Sequence, residues 1–306
     1  MSQFSNEIFA LIEEAQTQGL EETPPSGILT GFSGEKLTGL LQRLPKVTGK
    51  DYLEVGTYQG SSLLHAALAN PNIICYGIDN FIAHDSSGTN KETVIKRAGE
   101  LGLDNYRLVE KDFEEALADF KEEIGTYFID GPHDYRSQFI CLAYAPKFLA
   151  RNGVILVDDA NYAHVRQATA DFLTFWPEYK LVFEAYTDCH PINMTREQLQ
   201  TAKSGWWDGV HVIVHDPDDT IDGLSPPVPG NARFIRDHDV HSARWAPVAA
   251  YALDTTSAIV RPWELPRAFW KTLRERVRQS GEIKGRFRFA NTESQGLPTR
   301  MAHPKT

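Results

Sequence analysis

Five carboxylates in this chain stand where short apolar, β-prone runs end: Glu54, Asp79, Asp130 and the adjacent pair Asp158-Asp159. In an open α/β sheet, ligands bind beyond the carboxyl ends of the strands. Acids gathered there repel one another and serve no core, so the pattern points to positively charged guests. A hard divalent cation such as Mg²⁺, held by Asp130, Asp158 and Asp159, is one expected guest, because it prefers carboxylate oxygen and water. The competing reading is that Asp158 or Asp159 caps the helix expected around Val165. Directly after Asp130 comes Gly-Pro-His133-Asp-Tyr135. Gly and Pro force a tight turn that brings His133 over the same edge, where an imidazole flanked by acids is suited to take a proton from a hydroxyl. The alternative is that His133 simply faces water, as most of the chain's ten histidines are expected to do.

The segment Tyr52-Leu-Glu-Val-Gly-Thr-Tyr-Gln-Gly-Ser-Ser62 supplies the other half of the chemistry. A strand ends near Glu54, turns through Gly56 and Gly60, and reaches two hydroxyls at an expected helix start, so its backbone can approach a ligand closely. The glycines are four apart, not in the G-x-G-x-x-G spacing of dinucleotide sites, and no P-loop lysine follows. An acid beside the turn disfavours phosphate but suits a cationic ligand such as S-adenosylmethionine (SAM), with its ammonium and sulfonium groups. Asp79, at the end of the next strand, is placed to receive ribose hydroxyls. A plain strand-turn-helix, its glycines needed only for packing, is the alternative.

These residues need a scaffold, and the pattern supplies one. Short apolar runs near 51–55, 73–78, 106–110, 124–130, 153–158, 179–186 and 209–215 alternate with amphipathic stretches of helical length, which predicts a parallel sheet with crossover helices. A helical cap over residues 1–50 precedes it, its second helix ending at Pro45. Between the last two strands lies a long link with a short helix near 195–200 and Trp206-Trp207; with Tyr162, these tryptophans are candidate pocket walls, ordinary packing being the alternative. Residues 51–216 form the expected ligand-binding domain. Residues 217–306 form a linker and C-terminal extension, with a helix near 265–277 and a polar, basic tail expected to be unstructured.

With 306 residues, 42% hydrophobic and 24% charged, the chain is of soluble globular type. No apolar run reaches membrane-spanning length, and Met1-Ser-Gln-Phe-Ser-Asn-Glu has no secretion signal, so a cytoplasmic location is expected. Three scattered cysteines suggest neither a disulfide framework nor a zinc site. A net charge of −10 argues against a nucleic acid partner. From Arg261 onward eleven Lys/Arg face four Asp/Glu, a local +7 that leaves −17 on the first 260 residues.

In combination, Glu54-Val-Gly-Thr-Tyr-Gln-Gly-Ser-Ser62, Phe128-Ile-Asp-Gly-Pro-His-Asp-Tyr135, Asn152-Gly-Val-Ile-Leu-Val-Asp-Asp159 and Val165-Arg-Gln-Ala-Thr-Ala-Asp-Phe172 resemble class I SAM-dependent methyltransferases. The likeness is to the catechol and caffeoyl-CoA O-methyltransferase group and related bacterial enzymes, over roughly residues 35–215. It implies an α/β, Rossmann-like sheet of seven strands in the order 3-2-1-4-5-7-6, with strand 7 antiparallel. It also implies that Gly56, Tyr58 and Ser62 line the methionine end of SAM, that Asp79 holds the ribose, and that Asp112 and Phe113 flank the adenine. Asp130, Asp158 and Asp159 fall at the family's metal positions. His133 departs from the lysine base of catechol-type enzymes. The expected reaction is O-methylation of a small hydroxylated molecule, with Asp130 or His133 collecting the proton. The alternatives are a metal-independent N- or carboxyl-methyltransferase and a non-catalytic SAM-binding scaffold. A homodimer is common in related enzymes.

Overall fold

A computed structural model describes residues 3–82, 84–85, 87–191, 194–228 and 294–305. The chain divides into one unit of residues 1–228 and 290–306 and a second of residues 229–289. The helix expected near 265–277 lies outside the described residues.

The first unit begins with α1 (Gln3–Gln18), whose Ile8, Ile12 and Ala15 recur at helical spacing and are buried. It is followed by α2 (Glu35–Thr48). Contrary to expectation α2 runs through Pro45: it ends at Gly49, whose left-handed φ of 63° lets its N–H bond the Pro45 carbonyl. The proline ring is tolerated within the helix, and the αL glycine supplies the stop.

Then come β1 (Asp51–Val55), α3 (Ser61–Ala69), β2 (Cys75–Ile78), α4 (Asn90–Leu101), β3 (Tyr106–Val109), α5 (Phe113–Asp119), β4 (Ile124–Ile129), α6 (Tyr135–Phe148), β5 (Leu149–Asp158), α7 (Ala163–Phe175), β6 (Tyr179–Ala185), α8 (Arg196–Lys203) and β7 (Val210–His215). These seven strands are ordered 3-2-1-4-5-7-6. Strands β1 to β5 pair in parallel, whereas β7 runs antiparallel to both β5 and β6. Every residue of β4 is buried, as expected of a central parallel strand covered on both faces. One apolar cluster, including Leu40, Tyr52, Phe128 and Phe183, takes in the N-terminal helices; the other, including Leu53, Tyr127, Ile155 and Phe172, takes in α6 and α7.

Three short strands extend the scheme: β8 (Ile221–Asp222), β9 (Arg300–Met301) and β10 (His303–Pro304). β9 pairs antiparallel with β6 as an eighth strand of the main sheet, and β10 pairs with β8. Among the described residues of the expected tail, 300–301 and 303–304 are therefore held in strands. What pulls them in is charge. Glu184 of β6 is fully buried and paired with the Arg300 guanidinium, while the Tyr186 hydroxyl donates to its other oxygen at 2.6 Å. Arg300 also donates to the Ser225 carbonyl at 2.8 Å. Arg300→Met should lower stability by about 2 kcal/mol, because it strands a buried carboxylate. Adding Glu184→Gln should restore part of that loss in urea melts; equal stability of Arg300→Met and wild type would contradict this role.

Candidate functional site

Pairing register brings the site together. Val55 of β1 lies beside Ile129 of β4, and Ile129 beside Val157 of β5, so the residues that follow (Gly56, Asp130 and Asp158) meet at one rim. The backbones are so close at Gly56 (φ 93°) that a Cβ there would lie 1.9 Å from the Asp130 carbonyl oxygen. Gly56→Ala is expected to cost about 3 kcal/mol or more in chemical denaturation, since strain and overlap add.

The loop beyond β1 is built as a backbone cradle. Gly60, at φ 76°, precedes the first turn of α3, and Tyr58 also adopts a positive φ of 48°. Asp79 organises the cradle: its carboxylate accepts from the Tyr58 and Phe81 amides, each at 2.7 Å. Glu54 sits beneath the loop, fully buried, with the Tyr52 hydroxyl on Oε2 at 2.8 Å and Oε1 without a hydrogen-bond partner. Burial pushes its carboxyl up to about 7, although the Ser62, Tyr52 and Thr57 hydroxyls hold it down in part. Ser62 is buried in the first turn of α3. Beyond β3, exposed Asp112 caps α5 by accepting from the Glu114 amide at 2.9 Å, and Phe113 opens that helix.

The acids and His133 do converge. His133 Nε2 lies 2.9 Å from Asp159 Oδ2 and 3.9 Å from Asp130 Oδ1. Burial works against charge on the imidazole, but Asp159 outweighs it and His133 is raised above the usual histidine value. The same contact lowers Asp159 against the opposing effect of burial. Asp158 is pushed up to about 8 by burial and by Asp159, and Asp130 is raised well above the carboxylate range by burial and by both neighbouring acids. Neither Asp158 nor Asp159 caps α7, whose N-terminal cap is Tyr162 without a side-chain bond.

Two residues outside the sequence-based set belong to this rim. Asp208, 1% exposed, has Oδ2 without a hydrogen bond and 3.6 Å from His190 Nε2. Burial and Asp159 push Asp208 up to about 10. The ring of Tyr162 lies 5.9 Å from that of His190, which places Tyr162 on the wall of the acid cluster. Trp206 instead is core, 7% exposed and packed 5.0 Å from Phe183. Trp207 is half-buried at a positive φ of 57° in the turn before β7.

The donor set is of the hard-oxygen kind that Mg²⁺ takes. As arranged, though, Asp159 is engaged by His133, and among the described residues no group of three or more His, Cys, Asp or Glu side chains has the geometry to hold a metal ion. The acids crowd together without forming a ligand set.

Residues 53–160 match a family model described as "Methyltransferase domain". No curated protein matches the chain in sequence. Among solved structures it resembles the O-methyltransferase TomG of Streptomyces achromogenes, involved in tomaymycin synthesis and crystallised with SAM: 13% identity, 71% of this chain, 100% of that one, TM-score 0.48. It also resembles an O-methyltransferase of Bacillus cereus in complex with S-adenosylhomocysteine (SAH), at 14% identity, 70% and 91% coverage and TM-score 0.43. A SAH-bound methyltransferase of Podospora anserina matches at 15% identity, 70% and 88% coverage and TM-score 0.43. Likenesses this distant decide nothing about chemistry.

Proposed function

We propose that this chain, a methyltransferase whose domain at residues 53–160 opens a class I sheet, transfers the methyl group of SAM to a hydroxyl of a small molecule. The observation that carries the reading is the meeting, at one rim, of a backbone cradle over a buried acid with a histidine fixed by a carboxylate.

In this reading the cradle of Gly56, Tyr58, Gly60 and Ser62 takes the methionine end of SAM. Glu54 acts from beneath as a fixed negative charge toward the ammonium and sulfonium. Asp79, already bonded to two amides, keeps lone pairs for the ribose hydroxyls, and Asp112 with Phe113 borders the adenine. Methyl transfer is an in-line displacement: the S–CH₃ bond breaks as the O–CH₃ bond forms, SAH leaves, and the hydroxyl proton must be collected. His133 is the collector: its Nε2–H donates to Asp159, which fixes the ring and stabilises the imidazolium, and Nδ1, 3.4 Å from the Gln138 amide nitrogen, is the ring atom left to take the proton. Asp130, 3.9 Å from Nε2 and raised well above the carboxylate range, is protonated at neutral pH and leaves Asp159 as the counter-charge. Tyr162, His190 and Asp208 face the acceptor.

The carboxylates offer Mg²⁺ the right atoms, but they do not form a ligand set as arranged, and no step above runs through a cation. The test is transfer of label from methyl-tritiated SAM to separate panels of hydroxylated, amine and carboxylate compounds, with and without EDTA. Label on a hydroxyl supports the reading. Label only on amines or carboxylates, or SAH binding with no product, would replace it. Loss of activity in EDTA with return on Mg²⁺ would assign the rim to a metal.

A further inference from the structure

The segment 28–34, between α1 and α2, is pinned at both ends to parts of the molecule that the proposed chemistry uses. At the cofactor end, Arg97 of α4 donates to the Gln59 carbonyl at 2.7 Å, the Thr30 carbonyl at 3.2 Å and the Thr30 hydroxyl at 2.8 Å. One guanidinium thus bridges the cradle and the segment. Gly31 is packed so closely that a Cβ there would lie 2.6 Å from Ser61 Cβ. Phe32 places its ring 5.6 Å from that of Tyr58. The side chain is nonetheless 64% exposed.

At the other end, Gly34 lies against the turn before β7: a Cβ there would be 2.2 Å from the Gly205 carbonyl oxygen, and the Lys36 amide donates to that oxygen at 3.1 Å. The same turn carries Asp208, whose carbonyl accepts from the Asn161 amide at 3.1 Å, two residues beyond Asp159. The covalent segment therefore joins the cradle, through the Arg97 guanidinium and the close approach of Gly31 to Ser61, to the turn that carries Asp208, through the backbone of Gly34 and Lys36.

We infer that residues 28–34 are a coupling strap: Arg97 and Phe32 position the cofactor cradle, and Gly34 transmits its state to the Gly205–Asp208 turn beside the acceptor. This rests on the SAM reading above. Phe32 covers the cofactor from its open side, and Arg97 keeps the Gln59 carbonyl and Thr30 together while it does so. Neither residue touches a reacting atom, so both are positioning residues. The consequence is reciprocal: what orders the cradle orders the acceptor side as well.

The test is calorimetric titration of SAH into the full-length wild type, Phe32→Ala, Arg97→Met and Gly34→Ala, alongside hydrogen exchange of the wild type with and without SAH. Phe32→Ala removes an exposed side chain and is expected to fold normally, which keeps the inference testable even if Gly34→Ala does not fold. The expected result is SAH affinity reduced about tenfold in Phe32→Ala and Arg97→Met. Wild-type amides of 28–34 and of 204–208 should gain protection with SAH, and the second gain should disappear in Phe32→Ala. Equal affinity in wild type and variants, with protection confined to 54–62 and 79–81, overturns the strap alone. No heat from the wild type overturns the cofactor reading and the strap together.

Discussion

His133→Ala should lower methyl transfer about 10²- to 10⁴-fold while leaving SAH affinity within twofold of wild type, as expected when a positioned proton acceptor is removed from a site that binds the cofactor elsewhere. The separation of the two readouts follows from the geometry. His133 is tied to Asp159 at 2.9 Å, whereas the cradle is organised by Asp79. The pH profile carries a sign of its own. Only neutral imidazole can accept the proton, and Asp159 holds His133 above the usual histidine value. Activity should therefore rise with pH through a point above that value and level off beyond it. Asp159→Asn removes the counter-charge, so its profile should shift to lower pH, with a lower plateau because the ring is no longer fixed. A profile unmoved by Asp159→Asn, or full activity in His133→Ala, would remove His133 from the reaction.

The second large effect concerns Glu54. Its carboxyl is pushed up to about 7, so at neutral pH the free protein holds it only partly ionised. A cationic guest favours the carboxylate, and by linkage its affinity rises with pH while the acid ionises and flattens above. SAH, which carries the ammonium, should bind about tenfold more weakly for each pH unit below the midpoint. Glu54→Gln should bind weakly at every pH, with no such slope. The sign for stability is opposite to that of an ordinary surface acid. A buried acid with a raised value binds more protons folded than unfolded, so the ligand-free protein should lose stability as pH rises from the unfolded value toward about 7. Glu54→Gln should make that dependence shallower by the share of one proton, leaving the part due to the raised Asp130, Asp158 and Asp208. A wild-type affinity that falls with rising pH over the same range would exclude Glu54 as the charge that attracts the cofactor.

Much of this arrangement can be read from the residues, and the omissions have physical causes. Apolar runs between turn residues locate all seven principal strands to within a few positions, because buried parallel strands are continuous in hydrophobicity. The strand-end rule then brings Asp130, Asp158, Asp159 and His133 to one rim. The rule misses Asp208 because it considers only where strands end. β7 is antiparallel, so its beginning lies at the same rim as the ends of its neighbours, and Asp208 stands just before it. His190, in the link after β6, is distant in sequence from the acids of the rim and reaches them only through the fold. The eighth strand has no local signal either. Arg300 and Met301 are too few to make a periodic pattern, and their place is set by a buried acid 116 residues earlier. The run through Pro45 failed a local rule because the helix stop lies in Gly49.

Calorimetric titration of SAH at pH 8 into wild type and Asp79→Ala decides whether the rim beyond β1 and β2 is a SAM site. Saturable binding by the wild type is expected, with its loss in Asp79→Ala, which removes the acceptor of the Tyr58 and Phe81 amides. No binding by the wild type, or undiminished binding by a folded Asp79→Ala, would contradict it.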